Sequence, residues 1–131
     1  MGKVLHKRGI KPDLIVSSPA TRAKMTAELV AEKLRYPKEK ILYDERNYEA
    51  GVAELLEVIH TLPENVDEVL LVGHNPGMTA LINTLGDMGL ENLPTAGVVG
   101  MVFDVESFID IAPHSGEVLF YDYPKKQKEH T

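Results

Sequence analysis

Two side chains in this sequence stand where chemistry is expected: a permanent cation and one that switches near neutral pH. His74 follows Val69-Leu70-Leu71-Val72-Gly73 and precedes Asn75-Pro76-Gly77. Four apolar residues in a row, two of them β-branched, predict a strand covered on both faces. Gly73 has no Cβ, so the backbone there can come close to a ligand. Pro76 and Gly77 mark a turn, after which Met78, Leu81, Ile82 and Leu85 recur at helical spacing. Arg22 follows a second transition of the same kind. Leu14-Ile15-Val16 predicts a short buried strand, and Ser17-Ser18-Pro19 leads into a helix that runs to about Arg35 and buries Ala23, Ala27, Val30 and Leu34. Ser18 is the expected N-cap and Pro19 the expected first helical residue.

Taken alone, Arg22 reads as a solvated surface arginine. Its place in a first helical turn changes that: free backbone N–H groups, the helix dipole and a guanidinium together make an anion site. Both strands are expected to run the same way, so the turns after them open on one edge of the sheet, where α/β proteins bind ligands. A guanidinium and an imidazole around a shared anion suit phosphoryl chemistry, which needs mainly positioning and stabilisation of oxygens. The imidazole can donate a hydrogen bond or move a proton. Neither Ser17 nor Ser18 has a neighbouring base, no P-loop occurs, and no cluster has metal-ligand spacing.

The elements that must hold these residues follow from periodicity. The chain opens as if inside a helix, with Met1, Val4 and Leu5 apolar and Gly9 as its stop. Ile41-Leu42-Tyr43 reads as a short strand, and Asp44 to Gly51 as a polar loop containing Arg46, Tyr48 and Glu49. Val52, Leu55, Leu56 and Ile59 mark an amphipathic helix ending near Pro63. Gly86 to Pro94 is a loop, Val98 to Val105 a strand, Glu106 to Ile111 a single helical turn, and Gly116 to Tyr121 a last strand paired with the one before it. This order predicts one α/β/α sandwich with a mostly parallel sheet and an antiparallel edge. His60, near a helix end, reads as structural, and His114 as a solvated loop residue. The Tyr121–Tyr123 pair reads as edge-strand packing, and Lys125, Lys126 and Lys128 as a solvated charge run in a polar tail.

Bulk properties narrow the class. At 131 residues the expectation is a single domain. The net charge of −6 argues against a non-specific nucleic-acid binder. There is no cysteine, which excludes disulfides, thiolate metal sites and cysteine nucleophiles and fits a reducing cytoplasm. No apolar run is long enough to span a bilayer, so no membrane partner is expected.

The pair of motifs Ser17-Ser18-Pro19-Ala20-Thr21-Arg22-Ala23 and Val72-Gly73-His74-Asn75-Pro76-Gly77 resembles the histidine phosphatase superfamily, of phosphoglycerate mutase-like fold. Within it the chain is most similar to the small SixA-type phosphohistidine phosphatases, to which Leu93-Pro94-Thr95-Ala96-Gly97 and Phe103-Asp104 also conform. The resemblance runs from Gly9 to Pro124 and implies a histidine phosphatase domain over residues 1–124 followed by a tail, 125–131. It implies a phosphatase acting on phosphohistidine in a protein, or on a small phosphomonoester, through a phosphohistidine intermediate and without metal or organic cofactor. Arg22 and His74 match two of the groups that cage the phosphate in that family. Ser18 and Asn75 are the expected orienting residues, Gly73 lies in the phosphate loop, and Glu49 is the nearest match to the proton donor, with Glu45 close by.

One departure is large. The family's nucleophile comes from an Arg-His pair after a first strand, and no Arg-His pair occurs here. His6 precedes Lys7-Arg8 in a helical context instead. The helix-interior opening and the absent pair together predict a chain shortened at its N-terminus by a strand, loop and half-helix, on the order of 30 residues. Such a chain is expected to form no phosphoenzyme by itself and to expose strand edges that favour instability or homo-oligomers, so a phosphate-binding module or pseudo-enzyme is the alternative to the phosphatase reading.

Overall fold

A computed structural model describes residues 2–48, 51–94 and 97–123 of the chain. The first helix, α1, is Gly2–Lys7. It ends where Gly9 adopts a φ of 75°, a left-handed value that glycine reaches without a Cβ clash. Strand β1, Leu14–Ser17, is buried at all four positions. Helix α2, Thr21–Leu34, buries Ala23, Ala27, Val30, Ala31 and Leu34, a stripe at helical spacing. The short β2, Leu42–Tyr43, is followed by a 3₁₀ turn at Glu45–Asn47 and by α3, Val52–His60. Then come β3, Val69–Val72, and α4, Gly77–Gly86. A hairpin of β4, Val98–Phe103, and β5, Gly116–Asp122, closes the described part, with a 3₁₀ turn at Phe108–Asp110 between them.

The strands form two sheets. One is parallel, in the order β2-β1-β3; the other is the antiparallel pair β4-β5. β1 and β3 are in register from Leu14 opposite Val69 to Ser17 opposite Val72. Alternation along the strands sorts side chains to two faces. Ile15, Leu70 and Val72 pack with Ala27 and Ala31 of α2, while Leu14, Val16 and Leu71 pack with Val58 of α3. Leu5 of α1 joins Val30, Leu34, Leu70, Val98 and Phe120 on the α2 side. Leu55, Leu81, Leu85 and Ile111 meet Leu71, Met101 and Phe103 on the other. The result is the expected layering of helices on both faces of strands.

Three expectations change. The single sheet is two sheets: β3 is hydrogen-bonded to β1 alone, and β4 to β5 alone, among the described residues. The strand Val69–Val72 is half-buried at every position, whereas β1 beside it is fully buried. An apolar run specifies that a strand wants cover; it does not supply a neighbour, and β3 has one on one side only. Ser18 is not the N-cap of α2. The cap position is Ala20, with no side-chain bond, and the helix begins at Thr21 rather than Pro19. The Ser18 hydroxyl is engaged elsewhere. The tail 124–131, with its lysines, and Thr95-Ala96 lie outside the described residues.

The other elements lie where periodicity puts them. His60 Nε2 is 2.8 Å from the Ile111 carbonyl oxygen, a structural bond. His114 is exposed, at a φ of 63°, and bonded to Asp87. The rings of Tyr121 and Tyr123 are 5.3 Å apart.

Candidate active site

The parallel register of β1 and β3 builds the site. With Ser17 opposite Val72, the next residue on each strand, Ser18 and Gly73, leaves the sheet at the same level. The Ser18 N–H donates to the Val72 carbonyl oxygen at 3.0 Å, which locks the two strand ends together. His74 is one residue further, and its Nε2 lies 2.7 Å from Ser18 Oγ. Ser18 Oγ also accepts from the Ala20 N–H at 3.2 Å, so one fully buried hydroxyl ties the imidazole to the entrance of α2. Among the described residues, His74 Nδ1 makes no hydrogen bond. That nitrogen is therefore the one left for a ligand.

Arg22 is the second residue of α2, exposed, with no hydrogen bond or ion pair among the described residues. It lines one cavity with His74, of about 480 Å³. Gly73, Asn75, Thr26, Leu93 and Pro94 contribute to the same wall. No carboxylate lines it among the described residues, and the first N–H groups of a helix are free of intrahelical partners. A concave site with one guanidinium, one imidazole, helix N–H groups and no nearby negative charge favours an oxyanion.

Asn75 acts differently from the sequence-based expectation. Its Nδ2 donates to the Leu93 carbonyl oxygen at 2.8 Å and its Oδ1 accepts from Thr79 Oγ1 at 2.7 Å. It therefore joins the loop before β4 to α4, and its side chain makes no hydrogen bond to His74. The Asn75–Pro76 peptide is cis. Glu49 lies outside the described residues; Glu45 is exposed in the 3₁₀ turn.

Sequence reasoning missed two residues. Asn47 is fully buried; its Nδ2 donates to the Val72 carbonyl oxygen at 2.7 Å, and its Oδ1 has no partner. It packs so tightly on Gly73 that a Cβ there would sit 2.6 Å from Asn47 Oδ1. Close approach, not backbone conformation, is what demands glycine. Tyr48 presents its ring edge-on to His74, with centroids 6.2 Å apart and planes at 88°. Both stand on the 3₁₀ turn, which Asp44 caps by accepting from the Arg46 N–H at 2.9 Å. The Arg46 side chain bonds Asp44, Glu57 and Thr61, fastening this turn to α3. The Arg46 hydrogen bonds hold the Asp44 carboxyl below the usual carboxylate range.

Solved structures were found with this arrangement of elements. The protein histidine phosphatase SixA complexed with tungstate superposes with a TM-score of 0.76 at 22% identity, over 96% of this chain and 78% of that one. A chain from Nakamurella multipartitia, assigned as a phosphohistidine phosphatase SixA, gives 0.73 at 21% identity, over 94% of this chain and 77% of its own. A third from Agrobacterium tumefaciens, assigned likewise, gives 0.71 at 23% identity, over 94% and 75%. The chain has the SixA fold. No protein-family model matches the sequence, and no curated protein matches it. The likeness therefore lies in the path of the backbone: the SixA fold persists here at about one identical residue in five.

Proposed function

We propose that this chain forms the phosphate-holding part of a SixA-type phosphatase, acting on phosphohistidine in a protein or on a small phosphomonoester. The observation that carries the reading is the convergence of Arg22 and His74 on one cavity, with His74 tied to the buried Ser18 hydroxyl. A solved neighbour of the same fold binds tungstate, a tetrahedral oxyanion of phosphate-like shape, which supports an oxyanion as the ligand.

In this reading Arg22 bridges two equatorial oxygens, His74 donates from one ring nitrogen to a third, and the α2 N–H groups face the remaining charge. Turnover needs a nucleophilic imidazole opposite the leaving group. Its nitrogen forms a bond to phosphorus as the bond from phosphorus to the leaving atom breaks, and the leaving group takes a proton. Water then attacks the phosphoimidazole, releasing inorganic phosphate and restoring the imidazole. His74, held by Ser18, acts in this scheme as a stabiliser. No Arg-His pair occurs in the 131 residues, which favours a second reading, a phosphate-binding module without turnover.

Calorimetry with tungstate and with inorganic phosphate tests the shared part of both readings. Replacing Arg22 by Ala removes charge-assisted bonds of about 1.5–3 kcal/mol, so affinity should fall between about tenfold and a hundredfold. His74→Ala should weaken binding in the same direction. Equal affinity in the parent chain and both variants would remove the oxyanion site. Hydrolysis of p-nitrophenyl phosphate separates the readings: turnover lost in His74→Ala supports the enzyme, and binding without turnover supports the module.

A further inference from the structure

We propose that the outward ridge of α2 is a self-association surface: two copies of this chain pair their α2 helices antiparallel about a two-fold axis, and the pairing takes Arg22 away from the oxyanion cavity. Four exposed residues form the ridge: Arg22, Met25, Leu29 and Glu32. Their steps of three, four and three residues are those of the a and d positions of a heptad, so all four lie within about 80° of arc on one face. Ala23, Ala27, Val30, Ala31 and Leu34 occupy the opposite side of the helix and are buried. Met25 and Leu29, one helical turn apart, are 60% and 61% exposed, an unusual cost for two large apolar side chains that touch along one ridge.

The order of the four residues makes the ridge complementary to itself. In an antiparallel pair centred at the level of Ala27, Met25 lies against Leu29 of the partner subunit and Arg22 against Glu32 of the partner subunit, and the two-fold axis makes each contact twice. The apolar layers fall at the centre and the ion pairs at the ends, as in the core and rim of an interface. A parallel pair would set Arg22 against Arg22 and Glu32 against Glu32, like charges that disfavour it. The ion pairs within the chain, among the described residues, use Arg8, Arg46 and His114 as cations, which leaves Arg22 and Glu32 to pair outward. The other lysines of α2 are engaged to either side: Lys24 Nζ is 5.6 Å from the Tyr43 ring centre, and the stem of Lys33 lies against Gly2 of α1.

The surface is small. A stable dimer buries about 800 Å² on each partner, and a ridge with two apolar side chains supplies less, so the association is weak, with a Kd of about 0.1–1 mM. Glu28, half-buried beside the ridge, faces its own charge across the axis and keeps it weak. A guanidinium bonded to Glu32 of the partner subunit is not available to an oxyanion in the cavity that Arg22 shares with His74. Dimer and bound oxyanion therefore exclude each other, and by linkage each weakens the other. The dimer is a resting form that an oxyanion ligand opens. This competition rests on the oxyanion site proposed above; the pairing of the helices does not.

Sedimentation equilibrium of the 131-residue chain, from about 0.02 to 2 mM, tests the pairing. Met25→Gln combined with Leu29→Gln should leave a monomer throughout, since both positions are exposed and glutamine is a good helix former. Glu32→Arg should weaken the dimer about tenfold or more, and the swap Arg22→Glu with Glu32→Arg should restore it. Tungstate at about ten times its own Kd should raise the dimer Kd of the parent about a hundredfold, roughly tenfold from each subunit, and leave that of the swapped protein unchanged. Thermal unfolding like that of the parent reports an intact fold in each variant. A parent that is monomeric at about 2 mM overturns the proposal. So does a dimer that survives the paired glutamine changes, or one that the charge swap fails to restore. Tungstate bound, by calorimetry, without any change in the dimer Kd overturns the competition. Tungstate that does not bind at all counts against the oxyanion site, and the charge swap still decides the pairing.

Discussion

Gly73→Ala is expected to destabilise the protein through Asn47, and the two positions should be strongly coupled. An alanine Cβ would lie 2.6 Å from Asn47 Oδ1 and 3.0 Å from Met78 Sδ. Methionine can turn away cheaply. Asn47 cannot: it is fully buried and anchored by its 2.7 Å bond to the Val72 carbonyl oxygen. Overpacking of this kind costs about 1–3 kcal/mol. Displacing Asn47 also forfeits its hydrogen bond, about 0.5–1.5 kcal/mol, toward the low end because the Val72 oxygen keeps the Ser18 N–H. The sum is about 1.5–4 kcal/mol. Asn47→Ala alone should cost only about 1 kcal/mol, since it also removes an acceptor, Oδ1, that has no partner. The double variant should resemble Asn47→Ala, giving a coupling as large as the cost of Gly73→Ala itself, about 1.5–4 kcal/mol, in a double-mutant cycle. Urea unfolding of the four proteins measures it. Additivity to within about 0.5 kcal/mol would refute the reasoning, because the predicted clash has a single partner that matters.

Two further expectations concern stability. Asp13 accepts from the Asp67 and Glu68 N–H groups at 2.9 and 3.0 Å, and these bonds hold its carboxyl below the usual range. A depressed carboxylate stabilises the fold above its unfolded pKa and loses that contribution as pH falls through the folded value. The advantage of the parent over Asp13→Asn in urea unfolding should thus be full well above the usual carboxylate range and be lost as the pH falls below that range; an advantage independent of pH would contradict it. Arg8 pairs with Asp122 at 3.0 Å and lies 4.4 Å from the Phe120 ring centre. With Asp122 buried, Arg8→Ala should cost about 1–2 kcal/mol, more than the under 1 kcal/mol of a typical exposed pair. Thermal unfolding of Arg8→Ala and Arg8→Lys checks this, the lysine recovering part of the loss.

What the sequence made legible was local. The stripe Ala23, Ala27, Val30 and Leu34 has helical spacing, and Leu14 to Val16 is too short and apolar to be anything but a strand, so α2 and β1 follow directly. Ser18 shows the limit. Its type and place predicted a cap, a preference set by near neighbours, but His74, 56 residues away, takes its hydroxyl instead. Asn47 and Tyr48 gave no signal because a 3₁₀ turn imposes no period on side chains. The one available clue was a short polar residue beside a strand-end glycine, which glycine's lack of a Cβ leaves room to approach. The convergence of Arg22 and His74 needed only that two strands be parallel and end level, and that is a topological property which alternating strands and helices do convey.

The half-burial of β3 and the openness of the cavity lined by Arg22 and His74 have a common origin. β1 and β3 have four residues each, lie in full register and are similarly apolar, yet only β1 is buried throughout. Composition cannot cause the difference, so position must: β1 has a strand on each side, and β3 has one on a single side. The open side of β3 leads along Leu70 and Leu71 to Gly73 and His74, so the space that leaves the core thin is continuous with the space that reaches Arg22. Tungstate held between Arg22 and His74 should therefore slow hydrogen exchange at residues 69–72 as well. If tungstate binds while exchange at residues 69–72 stays constant, the two spaces are energetically separate, however close their walls.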